Sequence, residues 1–212
     1  MSPARGANDE EAPRRRRWRR RRRALLGLAV LLALPFLLFG VTSVVTPPAT
    51  PANPTSVFLL RDALHVGLVL PDRTTSTPRY VEYGFGDWRY YALGRDAWYE
   101  IFATVLWPTP GGLSRREWAA ASPAELRRSA SWVELDELVV DGDAALALRD
   151  RLEREFAAKS GQLAHRPRFR MDFVPADRSY WFGNTCADVA AAWLRQLGCT
   201  VGWVPIRASL RT

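Results

Sequence analysis

Two cysteines, Cys186 and Cys199, and two histidines, His65 and His165, are the only thiols and imidazoles in 212 residues. Thr185 and Asp188 have the Thr-x-x-Asp spacing of a capping box, which places Cys186 at the first helical position. Gly198 closes the other end of that helix. A thiol in the first turn feels the positive end of the helix dipole and unpaired backbone N–H groups. Both favour the thiolate, the nucleophilic form. Cys199 lies beyond the far end, so at 1.5 Å per residue the two Cα atoms stand roughly 18 to 20 Å apart. A disulfide needs about 4.4 to 6.8 Å. Both cysteines are therefore expected as free thiols, and the plain reading of each is a small buried hydrophobe.

His65 stands in the apolar run of residues 64–70 (LHVGLVL), which reads as a strand. On a period of two it shares a face with Gly67 and Val69. A Cys at a helix start facing a strand His is the arrangement a thiol nucleophile needs. A satisfied core histidine is the competing reading. His165, in a loop rich in Arg and Pro, is the weaker candidate base. Two histidines and two cysteines are too few for a disulfide scaffold or a Cys-based zinc module, and no cofactor or metal is expected.

The elements that must position these groups follow from periodicity. Residues 56–61, 64–70 and 79–83 read as strands, and residues 84–91 (GFGDWRYY) as a turn rich in Gly and aromatics. Asp96 opens a helical pattern with Trp98, Ile101, Phe102, Val105 and Leu106 on one face, stopped by Pro108 and Pro110. Residues 132–138 alternate as a strand. Asp143 is expected to cap a helix through about residue 158, with Leu148, Leu152 and Phe156 inward. Residues 161–170 read as a loop and 169–174 as a strand. The last helix puts Cys186, Val189, Ala190, Trp193, Leu194 and Leu197 on one apolar face. No internal repeat is present, and the mixture is α+β.

Charge is distributed unevenly. Residues 1–23 hold 10 Arg against Asp9, Glu10 and Glu11, whereas the remainder carries 20 basic and 19 acidic residues. A nucleic-acid reader carries its basic patch on the folded domain. Here that domain is near neutral, so nucleic acid is not an expected partner. Residues 24–45 (ALLGLAVLLALPFLLFGVTSVV) contain no charge and are long enough for one membrane span. Nine arginines on the N-terminal flank orient it with the N-terminus in the cytoplasm. A cleaved signal peptide, with its shorter apolar region, is the rival reading, and a twin-arginine export route stays open. Residues 46–54 (TPPATPANP) read as an extended Pro-rich stalk. The chain thus divides into a cytoplasmic Arg-rich tail (1–23), a transmembrane signal anchor (24–45), a stalk (46–54) and an extracytoplasmic domain (55–212). Membrane lipid is the expected partner of the apolar helix and the arginines. Lys159 is the only lysine, a composition that points to a GC-rich bacterial genome.

Three blocks carry a family resemblance: residues 65–71 (HVGLVLP), 82–87 (EYGFGD) and 184–198 (NTCADVAAAWLRQLG). In this order they resemble the signature of a bacterial family, domain of unknown function (DUF) 2459. That family is similar to circularly permuted papain-like proteins of the NlpC/P60 superfamily. The resemblance spans about residues 56–205 and implies an antiparallel sheet packed on a Cys-bearing helix. It also implies Cys186 as nucleophile, His65 as general base and Glu82 as the group that orients the imidazole, with Asp87 as the alternative orienter. Ala187 departs from the pattern, which commonly has Asn after the Cys. The function implied is a membrane-anchored thiol hydrolase or acyltransferase acting on amide or ester bonds, with cell-wall peptide first and lipid acyl groups second as substrates. The alternative is a non-catalytic envelope binding or assembly protein on the same fold. In that case the aromatics of residues 88–91, with Trp98 and Tyr99, would line a groove.

Overall fold

A computed structural model describes residues 18, 21–23, 25–30, 43–62, 65–74, 78–95, 97, 100, 104, 107–202, 210 and 211. The chain divides into two compact units, residues 1–40 and 41–212. In the first, Trp18, Arg21 to Arg23 and residues 25–30 are helical, and Leu25, Leu26, Leu28 and Val30 are exposed. No helix among the described residues is long and apolar enough to cross a membrane. Residues 31–42, most of the expected span, lie outside the described residues, as does nearly all of the helix expected from Asp96.

The second unit is built on a seven-stranded sheet. Its strands are β2 (Pro54–Asp62), β3 (His65–Asp72), β4 (Arg79–Asp87), β5 (Thr109–Trp118), β6 (Glu134–Asp141), β7 (Ala164–Arg166) and β8 (Met171–Tyr180). Their spatial order is β6-β2-β3-β4-β5-β8-β7, and every neighbouring pair is antiparallel. A smaller sheet joins β1 (Ser43–Thr46) to β9 (Thr200–Val201) and β10 (Leu210–Arg211). Ser43, Val44 and Val45, read from sequence as the end of the apolar helix, are thus extended. Val45 is buried in the main core, opposite Val201. The expected α+β class is observed.

Both faces of the large sheet are covered, which is why β2 and β3 are nearly continuous apolar runs rather than alternating ones. One face, carrying Val57, Leu59, Val66, Leu68, Val81, Tyr83, Phe85 and Leu113, packs against α3 (Gly142–Ala157) and α4 (Cys186–Gln196). The other carries Phe58, Leu60, Val69, Tyr80 and Trp118 and packs against Leu126 of α2 (Pro123–Ser129). A single helical turn, α1 (Trp88–Tyr91), follows β4 directly.

Several boundaries differ from expectation for physical reasons. β4 continues through Gly84 and Gly86 to Asp87, because β5 supplies its ladder as far as Asp87 after pairing with β3 stops at Gly84. Pro71 stays inside β3, where pairing with β2 has already stopped at Val69, so its missing N–H breaks no bond to that strand. Helix α3 is capped by Asp141, not Asp143: its carboxylate accepts the N–H groups of Asp143, Ala144 and Asn53. Strand β8 starts at Met171 and runs to Tyr180, longer than the 169–174 expected. β5 and α2 were not expected at all. By contrast, α4 carries the anticipated capping box between Thr185 and Asp188, and Gly198 takes the left-handed φ of 81°.

Candidate functional site

Position 186 is the first residue of α4, and the Cys186 side chain is buried. Burial raises the thiol above its ordinary pKa, while the backbone N–H groups of Val66, Ala187 and Cys186 itself act to lower it. Val66 is available for this because the β3–β4 ladder stops at Gly67 and Gly84. Beyond that pair the strands fork, β3 running back to His65 beside β2 and β4 running on to Asp87 beside β5. Tyr91 and Tyr180 are also close enough for a charged Cys186 to raise their phenols, after burial itself. Cys199 is buried too, and burial pushes its thiol up to about 11. No disulfide joins Cys186 to Cys199, as expected from the length of the helix between them.

The imidazole of His65 lies on the other side. Val66, Leu68 and Leu70 face the α3–α4 layer, so period two turns His65, Gly67 and Val69 to the opposite face. There a cavity of about 400 Å3 opens, lined among others by His65, Glu82, Ser114, Arg116, Tyr91 and Phe169. Its volume falls within the roughly 300 to 1,000 Å3 typical of small-molecule pockets. Asp62, Trp132, Arg168 and Arg170 also contribute to the lining.

Glycine makes this space. Gly67 and Gly84 are directly opposite each other on β3 and β4. A Cβ on Gly84 would sit 2.5 Å from His65 Nε2 and 2.7 Å from Ser114 Oγ. A Cβ on Gly67 would sit 3.1 Å from Glu82 Oε1, and one on Gly86 would strike the Tyr91 ring at 2.6 Å. The glycines of the HVG and EYGFGD blocks therefore keep one sheet face bare so that four side chains can converge over it.

Glu82 is fully buried, and one of its oxygens is heavily used. Oε2 accepts from Arg116 Nε (2.8 Å), Arg116 Nη2 (2.5 Å) and Trp118 Nε1 (3.0 Å). The Arg116 guanidinium lies over both the Trp118 and Trp132 rings, 4.4 and 5.0 Å from their centroids. Burial raises the Glu82 pKa against the opposing pull of Arg116. The other oxygen, Oε1, has no hydrogen-bond partner, and neither does Ser114 Oγ nor either ring nitrogen of His65. Burial, and after it Arg116, lowers the His65 pKa to about 4, so the ring is neutral at pH 7. Four buried polar atoms without partners around one cavity are uncommon, since each such group costs free energy when it is left unpaired.

The expected catalytic unit is thus divided. His65 and Glu82 share the cavity but no hydrogen bond joins them. Cys186 sits against the α4 side of the fork, and His65 makes no hydrogen bond to it. Tyr91 is the link between the two regions: its ring centroid is 5.8 Å from that of His65, and it also senses Cys186. Asp87, the alternative orienter, caps α1 through the Tyr90 N–H and accepts the Thr109 hydroxyl, so it is committed elsewhere. His165 is exposed on β7, with Nδ1 2.6 Å from Asp172.

Sequence reasoning missed Ser114 and Arg116. Their strand, TPGGLSRREW, is poor in apolar residues, although Leu113, Arg115 and Glu117 alternate with Ser114, Arg116 and Trp118. Among the described residues no cluster of three or more His, Cys, Asp or Glu side chains could hold a metal ion. The chain matches no family model, no curated protein and no solved structure, so the family resemblance rests on its three sequence blocks.

Proposed function

We propose that the domain binds a small molecule in the cavity above the Gly67–Gly84 pair. The observation that carries this reading is the convergence there of His65, Ser114 and Glu82 with unpartnered polar atoms. Native proteins seldom leave such groups unpaired unless something else pairs them. Buried without partners in the protein they lower stability, and a ligand that bonds to them recovers that loss. The N-terminal arginines and the apolar residues 24–42 would hold this binding domain at the outer surface of a bacterial membrane. Thermal-shift measurement on the full-length chain against a small-molecule library tests the reading. Compounds that fill the cavity raise Tm by mass action in the wild type and not in Gly84→Ala, where the new Cβ intrudes on His65 and Ser114. A library with no compound showing that difference would count against a binding pocket.

A second reading is favoured by a different observation, the three backbone N–H groups that act on the Cys186 sulfur. In this reading the domain is a thiol hydrolase or acyltransferase for amide or ester bonds of cell-envelope peptides or lipids. Cys186 attacks the carbonyl, those N–H groups receive the developing negative charge, the amine or alcohol of the substrate leaves with the thiol's proton, and water or another acceptor then takes the acyl group from the sulfur. His65, one residue from Val66, would have to turn through the β3–β4 fork to take the thiol proton. Trapping an acyl-thioester on Cys186 with an activated ester, detected by mass spectrometry and absent in His65→Gln, is the expected result if this holds.

A further inference from the structure

The chemistry of the cavity's free atoms specifies more than a binding site. We infer that the cavity takes an uncharged, hydroxyl-rich ring of about monosaccharide size, a sugar held against the aromatic wall of the pocket. The inference rests on the binding reading above and deepens it.

The polar atoms set the first condition. Oε1 of Glu82 only accepts when ionised, the Ser114 hydroxyl donates once and accepts, and a neutral imidazole offers one donor and one acceptor. These atoms are grouped around a short stretch of bare backbone. Ser114 Oγ and His65 Nε2 both lie within 2.7 Å of one point above Gly84, and Glu82 Oε1 lies 3.1 Å from the equivalent point above Gly67. A ligand that satisfies all of them must present donors and acceptors side by side. Neighbouring hydroxyls do so, because each one donates and accepts.

Charge sets the second condition. An anionic ligand, although drawn by Arg168 and Arg170, would bring its charge against Glu82 Oε1 and Asp62 in the same lining. A cationic ligand would compete with Arg116, which already holds the Glu82 carboxylate through two donors, and would meet Arg168 and Arg170 in the same lining. An uncharged ligand meets neither obstacle.

The walls set the third. Tyr91 and Phe173 are stacked, with centroids 6.0 Å apart and planes inclined by 13°, and Phe169 meets Tyr91 edge-on at 5.4 Å. Trp132, about half exposed, stands in the same lining. Such a wall suits the C–H face of a sugar ring, whose edge hydroxyls then reach Glu82, Ser114 and His65.

Saturation-transfer NMR on the full-length protein tests this with defined probes: glucose, N-acetylglucosamine, the methyl glycosides of both, benzoate and benzylamine. Sugar signals are expected, with affinity at least roughly ten-fold weaker in Ser114→Ala and in Glu82→Gln. Ser114→Ala removes only a hydroxyl that has no partner within the protein, so it keeps the test decisive if Glu82→Gln fails to fold. Binding of methyl glycosides as well as free sugars assigns the site to a glycan residue, and binding of free sugars alone assigns it to a soluble sugar. Both support the inference. Sugar binding indifferent to both substitutions overturns it. Binding of benzoate or benzylamine, lost in Gly84→Ala while sugars stay silent, overturns the sugar assignment and leaves the pocket reading standing. Silence from every probe overturns the sugar inference. If the library also shows no difference between wild type and Gly84→Ala, the binding reading fails with it.

Discussion

Lowering the pH from 7 to 5 is expected to cost the folded domain about 2 kcal/mol through His65 alone. Burial, and next Arg116, depress the imidazole from its ordinary 6.5 to about 4. Between those values the unfolded chain holds a proton that the folded chain refuses, so stability falls as pH falls. The contribution is fully present above pH 6.5 and is lost on the way down to about 4. At about 1.36 kcal/mol per pH unit the whole window is worth about 3 kcal/mol, and about two thirds of it is spent by pH 5. Besides His65, the charged and titratable groups lining the cavity are Arg116, Glu82, Asp62, Tyr90, Tyr91, Arg168 and Arg170. Glu82, raised by burial, works in the opposite sense, because its folded form takes up a proton more readily than its unfolded one. A comparison with His65→Gln separates the two, since glutamine keeps a polar group in place and cannot titrate. The assay is urea unfolding followed by tryptophan fluorescence at pH 7 and pH 5 for both proteins. The wild type should lose about 2 kcal/mol more than the variant. Stability curves that run parallel within about 0.5 kcal/mol would refute the reasoning that this ring is buried, neutral and without a partner.

Other substitutions follow from the same geometry. Ser114→Ala removes a buried hydroxyl that has no partner, so unfolding free energy should be unchanged or rise by up to about 1 kcal/mol even as ligand binding weakens. Glu82→Ala strands the Arg116 guanidinium against Trp118 and Trp132 without its carboxylate and should cost about 3 to 5 kcal/mol, read from denaturant midpoints. Alkylation of Cys186 by iodoacetamide at pH 7.5 should be slower than for an unfolded peptide thiol, because burial raises its pKa. Denaturant should abolish the difference, and mass spectrometry of the labelled peptides reads it with Cys199 as internal comparison. Thr185→Ala removes the hydroxyl that accepts from the Asp188 N–H and should lower thermal stability by about 1 kcal/mol.

Local chemistry determined a good part of this protein. Thr185, Asp188 and Gly198 delimit α4 because capping and left-handed closure are satisfied within a few residues, and they put Cys186 at its first position whatever the rest of the chain does. The apolar runs of β2 and β3 are legible because a strand buried on both faces needs them. Parity likewise grouped His65 with Gly67 and Val69. Parity alone, however, sorts a strand into two sets without naming the set a helix will cover. That choice was made by the apolar face of α4 packing with Val66 and Leu68, and it turned His65 to the other side of the sheet. β5 was hidden for a related reason: its Arg115 and Arg116 are neutralised by Glu153 on α3 and Glu82 on β4, partners 38 and 34 residues away in sequence. The glycines of EYGFGD read as a turn in sequence. Only the neighbouring strands show that Gly84 and Gly86 lie inside one, empty of side chain because His65, Ser114 and Tyr91 occupy the space above them.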